Sequence, residues 1–97
     1  MKLDILAEQK EQQLLHYFCL ISHNHRYDLM IGYSEQFFGK AMVTSIQSGN
    51  MVLLCQEDTL SDDHWADRLG IEAEDIPEFQ EFFSQVLQTR PFHEQYY

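Results

Sequence analysis

The sequence predicts an α+β domain, in which a four-stranded antiparallel β-meander is followed by two C-terminal helices packed on one face of the sheet. Short apolar segments separated by turn residues occupy residues 14–56, and apolar residues at helical spacing occupy residues 60–89. Every connection between the strands is shorter than the roughly dozen residues that a parallel crossover needs. The chain has 97 residues, of which 44% are hydrophobic, so we expect a single domain with one core over residues 1–97.

The first strand follows a polar N-terminal segment, residues 1–13, which the sequence leaves open as an arm or a short helix. The strand runs from Leu14 to Ile21 and is apolar on both of its faces. Such a strand is normally covered on both sides. Because two helices can cover only one face of the sheet, we expect a second copy of the chain to cover the other face in a homodimer.

Alternation and turn chemistry define the other three strands. In the segment Tyr27 to Ser34, every second residue from Tyr27 onward is a large apolar or aromatic residue, which predicts one core-facing side. The third and fourth strands, residues 41–47 and 51–56, flank Ser48-Gly49-Asn50. A Gly-Asn pair between alternating apolar residues is a strong signal for a β-hairpin.

The first helix is predicted from its two ends. Ser61 is a suitable N-cap residue, and Asp62 and Asp63 would then lie in the first turn, where the helix dipole favours negative charge. Gly70 is predicted to end this helix.

The second helix begins near Asp75, which together with Glu78 resembles a capping box, and Pro77 fits its first turn. An apolar stripe at helical spacing predicts that this helix covers the sheet. The stripe consists of Ile76, Phe79, Phe82, Phe83, Val86 and Leu87. Residues 90–97 follow as a tail.

Charge is concentrated in the second part of the chain. The net charge is -10, and residues 57–97 hold eleven acids against two bases. Nucleic-acid affinity comes largely from Lys and Arg, so direct binding of DNA or RNA is not expected, and anionic membrane surfaces are disfavoured for the same reason. The acidity is typical of a solvated helix face, or of a surface that binds a basic protein partner. With no secretory signal and no apolar run of about 20 residues, we expect a cytoplasmic protein that does not enter membranes.

Two histidines are the candidates for a metal site. His23 and His25 are two residues apart and could bind zinc or nickel together with His16 or His64. The same pair also fits ordinary turn chemistry, with Asn24 in the left-handed conformation. We therefore assign no metal site and expect no cofactor.

The sequence contains no pattern that indicates catalysis. Cys19 and Cys55 lie in apolar runs, where we expect reduced, unreactive core residues and no disulfide. Ser45 is placed in the middle of a strand and Ser84 in the middle of a helix, so neither stands at a sharp turn. The four glycines are isolated, so no phosphate-binding loop is predicted. For Asp28 we favour an ion pair with Arg26 on the face of the sheet over a polar site. We assign no catalytic residues and expect no enzymatic activity.

Five short motifs resemble those of a known family. They are Arg26-Tyr27-Asp28, Phe37-Phe38-Gly39-Lys40, Gln47-Ser48-Gly49, Leu53-Leu54 and Arg90-Pro91-Phe92-His93-Glu94-Gln95-Tyr96. The chain resembles, over Arg26 to Tyr96, a family of small acidic cytosolic proteins from Firmicutes whose function is unknown. The resemblance implies a compact α+β domain in a bacterial cytosol and transfers no catalytic residues. It also favours a docked tail, which could form an interaction surface consisting of Phe37, Phe38, Lys40, Arg90, Phe92 and Tyr96.

Two functions are compatible with these observations. The favoured one is a non-catalytic interaction or regulatory module that forms a homodimer and binds a partner through its acidic helices or aromatic tail, with mimicry of DNA as a special case. The alternative is a small enzyme or ligand-binding protein with a site shared across a dimer. That site would be formed by Tyr27, Asp28, Tyr33 and either His23 or His25.

Overall fold

The computed structural model describes residues 2–87 and confirms the predicted α+β class. One sheet with the strand order β1-β2-β3-β4 is antiparallel throughout, as expected for a meander. The strands are β1 (Leu15–Ser22), β2 (His25–Tyr33), β3 (Ala41–Ser45) and β4 (Met51–Leu54), and the helices are α1 (Gln56–Ser61), α2 (His64–Leu69) and α3 (Ile76–Val86). The predicted tail, residues 90–97, lies outside the described residues.

Both hairpins are closed by residues with left-handed backbones. His23 and Asn24, the two residues between β1 and β2, have φ angles of 50° and 68°. Two consecutive residues with positive φ are typical of the type I′ turn, whose twist matches that of the strands. In the β3–β4 hairpin Gly49 has a φ of 78°, and the Ser45 N–H donates to the carbonyl of Asn50 over 2.9 Å. The Gly-Asn hairpin is therefore confirmed, as is the left-handed Asn24.

Within the described part of the chain, the helical region contains one more helix than predicted. Gln56, placed by the sequence at the end of the fourth strand, begins α1, and Ser61 ends α1 and does not cap the next helix. The N-cap of α2 is Asp63. Helix α1 was missed because its start depends on Asp58, whose carboxylate accepts the Cys55 N–H over 3.0 Å and also accepts a hydrogen bond from the distant Lys40. The predicted end of α2 at Gly70 is correct, with a φ of 71° and an N–H that bonds to Ala66 and Asp67 carbonyls.

Helix α3 starts as predicted after Asp75, with Pro77 in its first turn, but the capping box is wrong. The Asp75 side chain makes no hydrogen bond to the helix N-terminus and is fully buried. Its oxygens are used by side chains of the β1–β2 hairpin, described below.

The core lies between the sheet and α3, where the predicted apolar stripe contacts β2. Phe79 packs edge-on against Tyr27 with ring centroids 5.0 Å apart, and Phe83 packs against Trp65 at 5.4 Å. Phe83, Leu29 and other central side chains are completely buried. Burying a side chain of this size contributes about 1.5–3 kcal/mol, so the stripe fixes α3 to one face of the sheet.

The opposite face of the sheet, here called the outer face, carries no helix from residues 2–87. On β1 the side chains of Leu15, Tyr17 and Ile21 are 52%, 55% and 75% exposed. Cys19 on the same face is also exposed, so its expected place in the core is wrong, although both cysteines are free as expected. The apolar run that suggested burial belongs to a strand with only one covered side.

Residues 2–14 form neither helix nor strand, which decides between the two N-terminal alternatives in favour of an arm. Leu3, Ile5, Leu6 and Leu14 are all largely exposed. The arm is tied to the connection between β2 and β3 by a 2.8 Å hydrogen bond from Gln36 to Gln9. Among residues 2–87, none of the helices has the length and apolarity needed to cross a bilayer.

Candidate functional site

The most unusual group of side chains surrounds the carboxylate of Asp75, at the end of a 3₁₀ turn, Ala73–Asp75. His23 Nδ1 lies 2.6 Å from Asp75 Oδ1, and His25 Nδ1 lies 3.0 Å from Asp75 Oδ2. The Tyr27 hydroxyl also donates to Oδ2. An ionised carboxylate can only accept hydrogen bonds, so both imidazoles carry a proton on Nδ1 in this arrangement. We call Asp75, His23, His25 and Tyr27 the Asp75 cluster.

The local sequence explains why these groups meet. His25 and Tyr27 are two apart on β2, so their side chains leave the same face of the sheet, the face that α3 covers. The turn at His23 and Asn24 brings His23 to the same end of the hairpin. The 3₁₀ turn that precedes α3 then places Asp75 over that end.

Hydrogen bonding keeps Asp75 charged although it is buried. Burial alone would raise the pKa of Asp75, but the hydrogen bonds from Tyr27 and His23 outweigh burial and hold its pKa well below the usual range. Burial and the bond to Asp75 raise the pKa of Tyr27 to about 12. The bond to Asp75 also raises the pKa of His23, and the negative charges of Glu74 and Glu78 add to this effect.

The cluster is not a catalytic triad. Ser22 Oγ lies 3.3 Å from His23 Nδ1, which is the same nitrogen that contacts Asp75. In a triad the nucleophile and the carboxylate contact opposite ring nitrogens, so that the imidazole can accept the proton from one side while held from the other. Ser22 is therefore not activated by His23 in this geometry.

Asp28 and Tyr33, the other members of the alternative site, are not in the cluster. Asp28 lies on the outer face, where it accepts a 2.8 Å hydrogen bond from Tyr17 and forms the predicted ion pair with Arg26 at 3.3 Å. Tyr17 is the main reason that the pKa of Asp28 is lowered. The Tyr33 hydroxyl donates to the carbonyl of Val86 over 3.2 Å. The structure thus brings together only Tyr27, His23 and His25 from the residues predicted for that site.

Three of the six residues of the predicted interaction surface lie in the described part of the chain. Phe38 is 89% exposed and has a φ of 55°, whereas Phe37 is half-buried. Lys40 is bonded to Asp58 over 2.8 Å. Its other members, Arg90, Phe92 and Tyr96, lie outside the described residues.

Sequence reasoning found the two histidines of the cluster but missed Asp75, because a local capping signal explained that residue equally well. Neither of the proposed third ligands approaches the pair. His16 packs against Phe18, and His64 is exposed beside Asp62. Among residues 2–87, the group of side chains arranged to hold a metal ion consists of His25, Glu74 and Asp75.

Comparison with known proteins places the chain in a family. The family model described as SAV0927-like matches residues 6–85. The chain belongs to the SAV0927-like family. This family has no known function, as the resemblance in the sequence implied, and the match also takes in the arm from Leu6 onward. A search of curated proteins finds no match.

Proposed function

We propose that this SAV0927-like protein is a non-catalytic interaction module that forms a homodimer through the outer face of its sheet. The observation that carries the proposal is the apolar surface that the described part of the chain leaves uncovered on that face. Its apolar side chains come from all four strands: Leu15, Tyr17, Ile21, Met30, Met42, Met51 and Leu53. Contiguous exposed apolar patches are rare on monomers and commonly mark association sites.

The charge distribution favours contact through this face. The charged residues on it, Arg26 and Asp28, are paired with each other. The acids of the helical layer lie on the other side of the sheet, where most are exposed: Glu57, Asp62, Asp63, Asp67, Glu72, Glu74, Glu78 and Glu81. Two copies that meet through their outer faces therefore keep their acidic surfaces apart, which limits the repulsion between them.

The size of the face indicates that the arm takes part. Four strands spaced by about 4.8 Å and about six residues long give a flat area of roughly 400 Å². Each partner in a standard stable interface buries about 800 Å². The exposed apolar residues of the arm, Leu3, Ile5, Leu6 and Leu14, would supply further area by lying against the second copy.

The experiment measures self-association by analytical ultracentrifugation from micromolar to near-millimolar protein. We expect a reversible dimer that Leu15→Asp weakens at least about tenfold, since a buried apolar contact and an uncompensated charge together cost more than 1.4 kcal/mol. Leu60→Asp is the matched control, because Leu60 is similarly exposed but lies on α1. A monomeric wild type over the whole range, or equal weakening by both substitutions, would contradict the proposal.

A basic protein is the partner that the acidic helical layer favours. Its binding should weaken steeply with salt, since exposed charges more than about 10 Å apart are screened at ordinary ionic strength. Affinity capture from the native cytosol at two salt concentrations tests this, with a variant in which Asp67 and Glu81 are changed to Asn and Gln as the control. Partners retained equally at both salt concentrations, or by both proteins, would argue against an electrostatic docking surface.

A second candidate function, ligand binding near the β1–β2 turn, is favoured by the convergence of His23, His25 and Tyr27 on one buried carboxylate. Its ligand is addressed in the next subsection.

A further inference from the structure

We propose that His25, Glu74 and Asp75 bind a divalent first-row transition-metal ion, for which Zn²⁺ is the appropriate probe. The proposal does not depend on dimer formation, because the three residues lie at the hairpin tip and the start of α3, on the helical side of the sheet.

The distances from His25 to the two carboxylates fit a coordination shell. His25 Nδ1 lies 3.0 Å from Asp75 Oδ2 and 3.5 Å from Glu74 Oε2, and the three ligand atoms are all within 4.8 Å of one another. Zinc binds nitrogen and oxygen at about 2.1 Å, so neighbouring ligands are separated by about 3.0 Å at right angles and about 3.4 Å at the tetrahedral angle. The distance to Glu74 is too long for a good hydrogen bond but is close to this second value.

His23 and Tyr27 hold the Asp75 carboxylate in a fixed orientation. His23 contacts Oδ1, the oxygen that the proposed ion does not use, and the Tyr27 hydroxyl bonds to Oδ2 while accepting the Glu72 N–H over 3.2 Å. Ligands of metal sites are commonly held in this way by hydrogen bonds from a further layer of residues. Asp75 would therefore keep its orientation with or without the ion.

Local charge also favours a cation. Asp75 is completely buried, and Glu74 lies next to it in a chain of net charge -10. Hydrogen bonds from His23 and Tyr27 already stabilise the buried Asp75 carboxylate, and a nearby positive charge would stabilise it further. A divalent ion would compensate both carboxylates and would take the place of the proton on His25 Nδ1. A neutral ring then carries its proton on Nε2, whereas a protonated ring releases one proton to the solvent.

The ligand types narrow the choice of ion. An imidazole nitrogen with carboxylate oxygens suits Zn²⁺, Co²⁺ or Ni²⁺, whereas Mg²⁺ and Ca²⁺ prefer oxygen ligands alone. Three protein ligands leave at least one position for water, as in sites where the metal also binds a small molecule. The spacing of the histidines had pointed to His16 or His64 as the third ligand, whereas the other two ligands proposed here are carboxylates.

The test is calorimetric titration of untagged, metal-free full-length protein with ZnCl₂, supported by the visible absorption of bound Co²⁺. We expect one saturable site per chain and a rise in melting temperature with Zn²⁺. Glu74→Gln and His25→Ala should each weaken binding by at least about tenfold, because each removes a ligand. The key variant is Glu74→Gln: because Glu74 is exposed, its replacement is expected to leave the fold intact.

Matched controls separate this site from non-specific binding. Glu72→Gln removes an exposed acid two residues away, and His64→Ala removes an exposed histidine outside the cluster, so neither should change the affinity. Absence of saturable Zn²⁺ binding at millimolar concentration would overturn the proposal. It would equally be overturned if Glu72→Gln weakened binding as much as Glu74→Gln.

Discussion

Replacing Tyr27 by Phe tests the role of the Asp75 cluster in holding the helical layer to the sheet. The ring and its packing against Phe79 remain, but the hydroxyl that donates to Asp75 and accepts the Glu72 N–H is lost. A hydrogen bond to a charged group contributes about 1.5–3 kcal/mol, and one between neutral groups about 1 kcal/mol. Since Asp75 is buried and charged, we expect the free energy of unfolding to fall by about 2–3 kcal/mol.

The same strand offers a matched control. Tyr33→Phe also removes one hydroxyl from β2, but that hydroxyl donates to a neutral carbonyl, that of Val86, over 3.2 Å. The expected loss is only about 1 kcal/mol.

Urea unfolding followed by the fluorescence of the buried Trp65 distinguishes the two variants. With a slope of about 1.5 kcal/mol/M for a chain of this size, Tyr27→Phe should lower the midpoint by about 1.3–2 M and Tyr33→Phe by about 0.7 M. In thermal unfolding, Tyr27→Phe should lower the midpoint by roughly 10 °C or more. If Tyr27→Phe cost no more than Tyr33→Phe, the bond to Asp75 would not be the strong contact that its burial and charge imply.

Three further predictions concern other parts of the molecule. The bond to Lys40 lowers the pKa of Asp58 below its ordinary value of 3.8, so its stabilising contribution is complete above that pH and is lost as pH falls through the folded pKa. The urea midpoint of the wild type should therefore fall more steeply below pH 4 than that of Asp58→Asn. If the two midpoints fell in parallel with pH, the ion pair between Lys40 and Asp58 would not contribute to stability. Phe83→Ala should lower the free energy of unfolding by about 3–5 kcal/mol because the ring is completely buried. Phe38→Ala, at an exposed position, should change it by no more than about 0.5 kcal/mol. Similar unfolding midpoints for the two variants would contradict the assignment of Phe83 to the core. Deletion of residues 2–12 should weaken dimer formation, measured by ultracentrifugation, at least about tenfold with little change in the melting temperature of the chain. If association were unchanged, the arm would not be part of the interface.

The elements with local signals were predictable from the sequence. Gly49 and the alternation around it predicted the β3–β4 hairpin, and the apolar stripe of α3 predicted its buried side, although α3 ends at Val86 and not near Thr89 as expected. These features need only information from neighbouring residues, since strand alternation and helical spacing are properties of short windows.

The errors arose where distant residues decide the structure. At helix α1 the local signal is weak, because Cys55 is not a preferred N-cap residue; the Asp58 carboxylate that accepts its N–H is also bonded to Lys40, 18 residues away. The role of Asp75 depends on His23 and His25, 52 and 50 residues away. The burial of Cys19 was predicted wrongly because the sequence of an apolar strand does not show which of its two faces other elements will cover. The candidate site therefore could be predicted only for its histidines.

The tight turn at His23 and Asn24 has a consequence for the order of events in folding. A hairpin with a two-residue turn closes within microseconds because its contacts are local. Its tip reaches Asp75 only after the intervening half of the chain has collapsed, since that contact spans 52 residues. We therefore expect that the contact between the tip and Asp75 is not yet formed in the folding transition state. Substitutions at the tip should then leave the refolding rate nearly unchanged and accelerate unfolding.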